Sequence, residues 1–209
     1  MARHNSRNTR SRIVTASWEL FYEKGYDDTT VDDIVERSGT SKGSFYHYFA
    51  GKDELYLLCV AQCFEDFTAC LEHAAEALCG SVRKKLGDYF DARLRFFAEN
   101  PRYPGIFADA VFNTPPSLAE QISQRRAGFD QLNLSVLTAI LKSQPLRPGL
   151  SPEEVAEDFR AYMDYFNLRF RADMRAGQPV KEILLEHEEK CRRQLDILLY
   201  GVWERNNEE

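Results

Sequence analysis

The chain has 209 residues and a formal net charge of −6, with 29% charged and 44% hydrophobic residues. These are proportions of an ordinary globular protein with one large or two small cores. The longest apolar run, Leu55 to Ala61, holds seven residues, against the roughly 18 to 20 that a membrane span needs, and the first residues lack the apolar core expected of a signal peptide. Five cysteines, an odd number without secretory context, argue against a disulfide framework and for a reducing cytoplasm.

Charge is unevenly spread. Residues 1–52 hold eight Lys or Arg against seven acids, a balance of +1, and the remainder holds 19 against 26, or −7. Arg3, Arg7, Arg10 and Arg12 all precede the first acidic residue. Such a basic arm contacts phosphate or the minor groove; the alternative is a solvated tail. Helix one is expected from about Thr9 to Lys24, with Ile13, Ala16, Ser17, Leu20 and Phe21 as its inner stripe and Gly25 as its stop.

Thr29 to Phe49 reads as two short helices across a glycine turn. Thr30 caps the first, and Asp32 and Asp33 fall in the first turn, where the helix dipole favours negative charge. Val31, Ile34 and Val35 share an apolar face. Gly39 supplies the left-handed residue, and Thr40 or Ser41 caps the next helix. Phe45 and Phe49 then face inward, leaving Gly43, Ser44, Tyr46 and His47 outside. A short helix with a polar outer face, propped across a tight turn, suits the major groove of DNA.

With its flanks, this stretch resembles the DNA-binding domain of the tetracycline-repressor-like (TetR) family of bacterial regulators. The resemblance runs from Arg10 to about Tyr56. It rests on Arg12-Ile13, Leu20-Phe21-Tyr22-Glu23-Lys24-Gly25-Tyr26, Thr29-Thr30-Val31 with Ile34, Ser41-Lys42-Gly43-Ser44-Phe45-Tyr46-His47-Tyr48-Phe49 and Lys52-Asp53-Glu54-Leu55. By position, Lys42, Ser44 and His47 are candidates for base edges, with Gly43 permitting close approach. Thr30, Thr40, Tyr46 and Lys52 are placed for phosphates, and Tyr48 for either a phosphate or the core.

Beyond Gly51 the chain continues in helices: Lys52 toward Cys79-Gly80, Ser81 to Asn100, Pro104 to Asn113, and Ser117 to about Gln144. Ser151-Pro152-Glu153-Glu154 opens the next as a capping box with proline at its first position, running to Ala176 and Gly177, and a last helix spans Pro179 to about Arg205. Three plus six gives nine helices, the count the resemblance implies. The expectation is an all-α fold: a three-helix helix-turn-helix DNA-binding domain over 1–51 and a six-helix effector-binding and dimerisation domain over 52–209.

The final two helices carry apolar stripes, Val155, Phe159, Tyr162, Met163, Phe166 and Phe170 in one, and Val180, Leu184, His187, Cys191, Leu195, Leu198 and Val202 in the other. Either could be core; the resemblance implies a homodimer through them. Between, Arg93 lies within the apolar face Val82, Leu86, Tyr89, Phe90, Phe96 and Phe97, and Arg125 within Leu118, Ile122, Phe129, Leu132, Val136 and Ile140. A buried arginine needs a partner: a structural carboxylate such as Asp109 or Asp130, an escape to the surface, or the carboxylate or phosphate of a largely apolar effector. Tyr103, Phe107, Phe112 and Phe129 are candidate walls for that effector.

Two rivals remain. Cys59, Cys63 and Cys70 fall within about 40° on one helix face and could form a thiol or soft-metal sensor, or simply core. A small helical enzyme lacks support: the chain has no phosphate-cradling glycine loop, nucleophile elbow, paired zinc histidines or Cys-x-x-Cys. The expected function is therefore that of a non-enzymatic transcriptional regulator in the cytoplasm, a repressor. Its expected partners are a palindromic double-stranded operator, a second copy of itself and a small-molecule effector, with no cofactor, metal or membrane.

Overall fold

A computed structural model describes residues 2–173 and 179–200, and the side chains of 8–168, 179 and 182–200. Among the described residues there are nine α-helices and no strand: α1 (Ala2–Lys24), α2 (Val31–Ser38), α3 (Lys42–Tyr48), α4 (Lys52–Glu76), α5 (Val82–Glu99), α6 (Tyr103–Phe112), α7 (Ala119–Leu141), α8 (Pro152–Asp173) and α9 (Val180–Tyr200). A single 3-10 turn, Pro116–Leu118, leads into α7. The expected ends of α8 at Ala176 and Gly177 and of α9 at Arg205, and the side chains of Arg3, Arg7, Phe170, Val180 and Val202, lie outside the described residues.

One boundary differs from expectation. α1 starts at Ala2, not near Thr9, so the basic segment is the helix's first turns and not an extended arm. No glycine or proline falls between Ala2 and Lys24 to stop the helix propagating backward from its packed half. It ends where Gly25 turns to φ +76 and its N–H returns to the Phe21 carbonyl at 3.0 Å.

The chain forms two compact units. The first joins Met1–Cys70 with Phe96–Leu132, so the helix-turn-helix head lies wholly inside it. In the head, Ile13, Leu20, Phe21, Ile34, Phe45 and Tyr56 are completely buried or nearly so. Beyond them Phe67 stacks on Phe96, with ring centres 4.5 Å apart, and on Phe129 at 5.1 Å. Phe64 and Phe107 complete this aromatic cluster, 5.7 Å apart. Packed rings of this kind contribute about 0.5–1.5 kcal/mol per pair beyond their buried area.

The second unit joins Leu71–Arg95 with Asn133–Glu209. α8 begins as the sequence indicates. The Ser151 hydroxyl accepts the Glu154 N–H at 3.2 Å, and the Glu154 carboxylate accepts the Ser151 N–H at 3.2 Å, which satisfies two otherwise orphaned donors. The α9 stripe is buried at Leu184, His187, Cys191 and Leu195.

Arg93 finds its partner here, and it is neither Asp109 nor Asp130. The guanidinium lies bidentate on Glu188 of α9, Nε to Oε2 at 2.6 Å and Nη2 to Oε1 at 2.8 Å, and donates a third bond to Asn133 at 3.0 Å. Burial pushes the Glu188 carboxyl upward, but the charge and hydrogen bonds of Arg93 outweigh it and hold it down at about 2. The pair is a fork-on-fork match, the geometry that best offsets desolvation of both charges. Glu188→Gln should therefore cost about 3–5 kcal/mol by leaving a buried guanidinium without a counter-charge. Replacing both ends with Arg93→Met and Glu188→Leu should cost much less, and thermal unfolding of the two variants checks the ordering.

Candidate nucleic-acid interface

The interface is built by local caps. Thr30 and Asp33 form a reciprocal capping box: the Thr30 hydroxyl accepts the Asp33 N–H at 3.1 Å and the Asp33 carboxylate accepts the Thr30 N–H at 2.9 Å. These bonds and Lys24 hold the Asp33 carboxyl down at about 2. Gly39 ends α2 at φ +59, with its N–H on Glu36 and the Thr40 N–H on Val35 at 3.1 Å. Ser41 caps α3 by accepting the Ser44 N–H at 3.1 Å. Phe45 and Phe49 anchor α3 from below, both buried.

That anchoring turns the other face outward. Lys42, Gly43, Tyr46 and His47 are exposed, and Ser44, Thr40 and Tyr48 are half-buried. Gly43 matters because the fold does not require it: an added Cβ would meet only the Ser41 hydroxyl, at an ordinary 3.8 Å. Lys42 pairs with Asp32 at 2.7 Å on the outer surface, which raises the lysine's pKa. The hydroxyls of Thr30 and Thr40 are already engaged, by Asp33 at 2.8 Å and by Ser38 at 2.8 Å.

Lys52 is placed differently from the other candidates. Its ammonium turns inward and donates to the carbonyls of Tyr26, Thr29 and Asp27, at 2.8, 3.0 and 3.3 Å. It also lies 4.2 Å from the centre of the Tyr26 ring. Arg12, read from sequence as part of a basic arm, is exposed, and its Nη2 donates to the carbonyls of Ser38 and Gly39 and clamps the turn. Arg10 lies over the Phe49 ring at 5.3 Å. Sequence reasoning passed over Arg37, which bridges Glu23 at 2.8 Å and Glu19 at 3.3 Å and ties α2 to α1.

The residues singled out for an effector fall in both compact units. Tyr103, Phe107, Phe112 and Phe129 are buried in the first unit, and the Tyr103 hydroxyl donates to Asp66. Arg93 is committed to Glu188 in the second. Arg125 is exposed rather than set into an apolar face, and donates to the Gln121 carbonyl at 2.9 Å. A half-open groove of about 370 Å³ between α5 and α9 has Leu86, Phe90 and Leu195 in its lining. Its arginines Arg83 and Arg192 already pair with Asp196 at 3.1 Å and Asp91 at 3.2 Å.

The cysteine line is core in character. Cys59 and Cys63 are buried and Cys70 half-buried. Burial pushes the Cys59 thiol up to about 12 and the Cys63 thiol well above its ordinary range, the reverse of what a reactive thiolate needs. Among the described residues no group of three or more His, Cys, Asp or Glu is arranged to hold a metal ion.

Lys52→Met should lower stability by about 1.5–3 kcal/mol, the range for hydrogen bonds to a charged group. Thermal unfolding measures it. A preserved melting point together with a salt slope reduced by about one unit in DNA titrations would instead mark Lys52 as a phosphate contact.

Comparison with known proteins agrees with this geometry. Residues 13–59 match the family described as bacterial regulatory proteins, tetR family. Over 153 residues the chain is 43% identical to an uncharacterized HTH-type transcriptional regulator in the lacX 3′ region of Lactococcus lactis subsp. lactis, covering 68% of this chain and 76% of that protein. It is 33% identical over 161 residues to the HTH-type transcriptional regulator TcmR of Streptomyces glaucescens, covering 74% and 70%. The fold matches the transcriptional regulator FadR of Bacillus subtilis, solved in complex with stearoyl-CoA, with a TM-score of 0.63 at 16% identity over 93% of this chain and all of that one. Matched head, all-helical architecture and relatives covered over more than two thirds of their length converge: the chain belongs to the tetR family of bacterial transcriptional regulators.

Proposed function

We propose that the protein is a homodimeric repressor that binds a palindromic operator through α3 and releases it when a small, largely apolar molecule binds. The observation that carries the DNA half is Gly43: a glycine without internal purpose, on the exposed face of a helix-turn-helix, beside Lys42, Ser44 and His47. Those three side chains read base edges. Thr30, Thr40, Tyr46 and Tyr48 sit around them toward the phosphates, which position the head without specifying sequence. Lys52 supports the loop behind them. Two copies would set two recognition helices about 34–36 Å apart, one helical turn of DNA.

The dimer reading is supported by the outer surface of α8 and α9. Tyr165 and Leu168 are 60% and 64% exposed, and Tyr162 and Leu198 are also open. Large apolar side chains in such number mark an association surface. For the effector, Tyr103, Phe107, Phe112 and Phe129 remain the contacts proposed, an aromatic lining that suits an apolar molecule, as does the fold's likeness to a regulator solved with an acyl-CoA. Arg93 and Arg125 would take an anionic group on it only by exchanging their present partners. A regulator of this kind works where the chromosome is, in the cytoplasm, and no described helix is long and apolar enough to cross a membrane.

Gel-shift titration against the DNA upstream of the protein's own gene tests the reading. Sequence-specific, salt-sensitive binding is expected. Gly43→Ala should weaken it at least tenfold without lowering the melting point, and His47→Ala should change preference at one base pair. Equal weakening on all operators would remove His47 from base reading, and no specific binding would defeat the proposal.

A further inference from the structure

The groove between α5 and α9 lies wholly within the second unit. Arg83, Leu86, Gly87 and Phe90 of α5 line one side of it, and they fall within an arc of about 100° at 100° per residue. Leu195 and Tyr200 of α9 line the other. Leu86, Phe90 and Leu195 are otherwise buried, so the apolar edges they show in the groove are held by the core beneath. Its volume of about 370 Å³ lies at the small end of ligand pockets, which run from about 300 to 1,000 Å³.

Gly87 is the informative residue. In the second turn of the 18-residue α5, glycine is the costliest choice short of proline. The fold does not ask for it. Its φ is not positive, and a Cβ there would meet only the tip of Arg192, with Nη2 at 3.5 Å, an ordinary contact with a flexible side chain. A longer side chain would stand in the groove that Gly87 lines. The residue keeps a slot open beside Leu86 and Phe90 at a cost in helix stability.

The rim is cationic on balance. Arg83, Arg192 and Arg193 stand with two acids, Glu189 and Asp196, which leaves +1. Arg83 of α5 reaches Asp196 of α9 at 3.1 Å, and Arg192 of α9 reaches Asp91 of α5 at 3.2 Å. Both pairs are exposed at both ends. Such pairs contribute little, so an incoming anion would displace either one cheaply and leave its carboxylate in water. Arg193 has no acidic partner among the described residues. Arg83 already lies over a ring, its guanidinium carbon 4.3 Å from the centre of Tyr200, the way arginine takes an aromatic face.

We propose that this groove is a small-molecule site for a planar aromatic carboxylate. The ring enters the slot at Gly87, against Leu86, Phe90 and Leu195, and the carboxylate meets Arg193 and one of the two paired arginines. A carboxylate matches the fork of a guanidinium, and an anion shared by Arg83 and Arg193 would tie α5 to α9 as the two ion pairs do now. The site is separate from Tyr103, Phe107, Phe112 and Phe129, which belong to the first unit. It stands or falls without reference to DNA.

Isothermal titration of the full-length chain at neutral pH tests it, with 2-naphthoate, the neutral 2-naphthamide and the cationic 2-naphthylmethylammonium as probes. 2-Naphthoate should bind at least tenfold more tightly than either analogue. Gly87→Leu fills the slot and should weaken binding at least tenfold, with a melting point no lower than wild type. Gly87→Ala should melt higher than wild type, since the glycine has no internal role. Arg83→Gln and Arg193→Gln should each weaken 2-naphthoate at least threefold. Equal or tighter binding of the amide or the ammonium overturns the site, as does undiminished 2-naphthoate binding in Gly87→Leu or a lowered melting point in Gly87→Ala. Should Gly87→Leu melt below wild type, the arginine variants decide, and unchanged binding in both overturns the site. Failure of 2-naphthoate to bind wild type overturns it too and leaves the groove to a larger occupant such as a second copy of the chain.

Discussion

The head depends on one ammonium group. Lys52, at the start of α4, sits against three carbonyls of the loop after α1. Those oxygens lie just past the negative end of the α1 dipole, where a cation is favoured. The loop they belong to delivers Thr29, whose buried hydroxyl donates to the Gly25 carbonyl at 2.7 Å, and then Thr30, the cap of α2. From that cap the direction of α2 is set, from Gly39 the turn, and from Ser41 the direction of α3. Removing the cation would leave three carbonyls competing for water at the point from which the recognition helix is aimed.

The two units use buried charge differently. In the second, Arg93 and Glu188 neutralise one another with near-ideal geometry, and Asn133 fills the remaining donor. A pair so completed contributes little net stability over an apolar replacement but penalises any other register of α5 on α9. In the first, the buried Asp109 carboxylate accepts the Tyr26 N–H at 2.9 Å and a bond from Asn113, and burial pushes its carboxyl up to about 6. One charge is matched by an opposite charge, the other only by hydrogen-bond donors.

What could be read from the sequence was whatever is decided within about four residues. The caps at Thr30, Ser41 and Ser151, the left-handed Gly39, and the inward Phe45 and Phe49 all belong to this class, because each is a bond or contact between neighbours along one turn. The helix count and the recognition face follow from them. Long-range pairings were not legible. Glu188 lies 95 residues from Arg93, and Asp109 lies 83 from Tyr26; periodicity gives an inward direction but names no partner. Arg125 shows a further limit: its angle places it within an apolar arc, yet the long side chain reaches out and back to Gln121. The bonds of Lys52 to the loop carbonyls were not legible either, since a lysine at a helix start looks solvent-facing until a loop folds over it.

The pair between Lys42 and Asp32 has a consequence for how the protein would search a genome. The Asp32 carboxylate lies 2.7 Å from the Lys42 ammonium, so a duplex that reached Lys42, as proposed above, would compete with an anion carried by the protein itself. The displacement costs the same on every sequence. Only a site that returns more than one hydrogen bond to the freed ammonium, such as the paired acceptors of a guanine edge, recovers it. A cost that is equal on every sequence would weaken binding to all duplexes alike and leave discrimination to the contacts that each site returns.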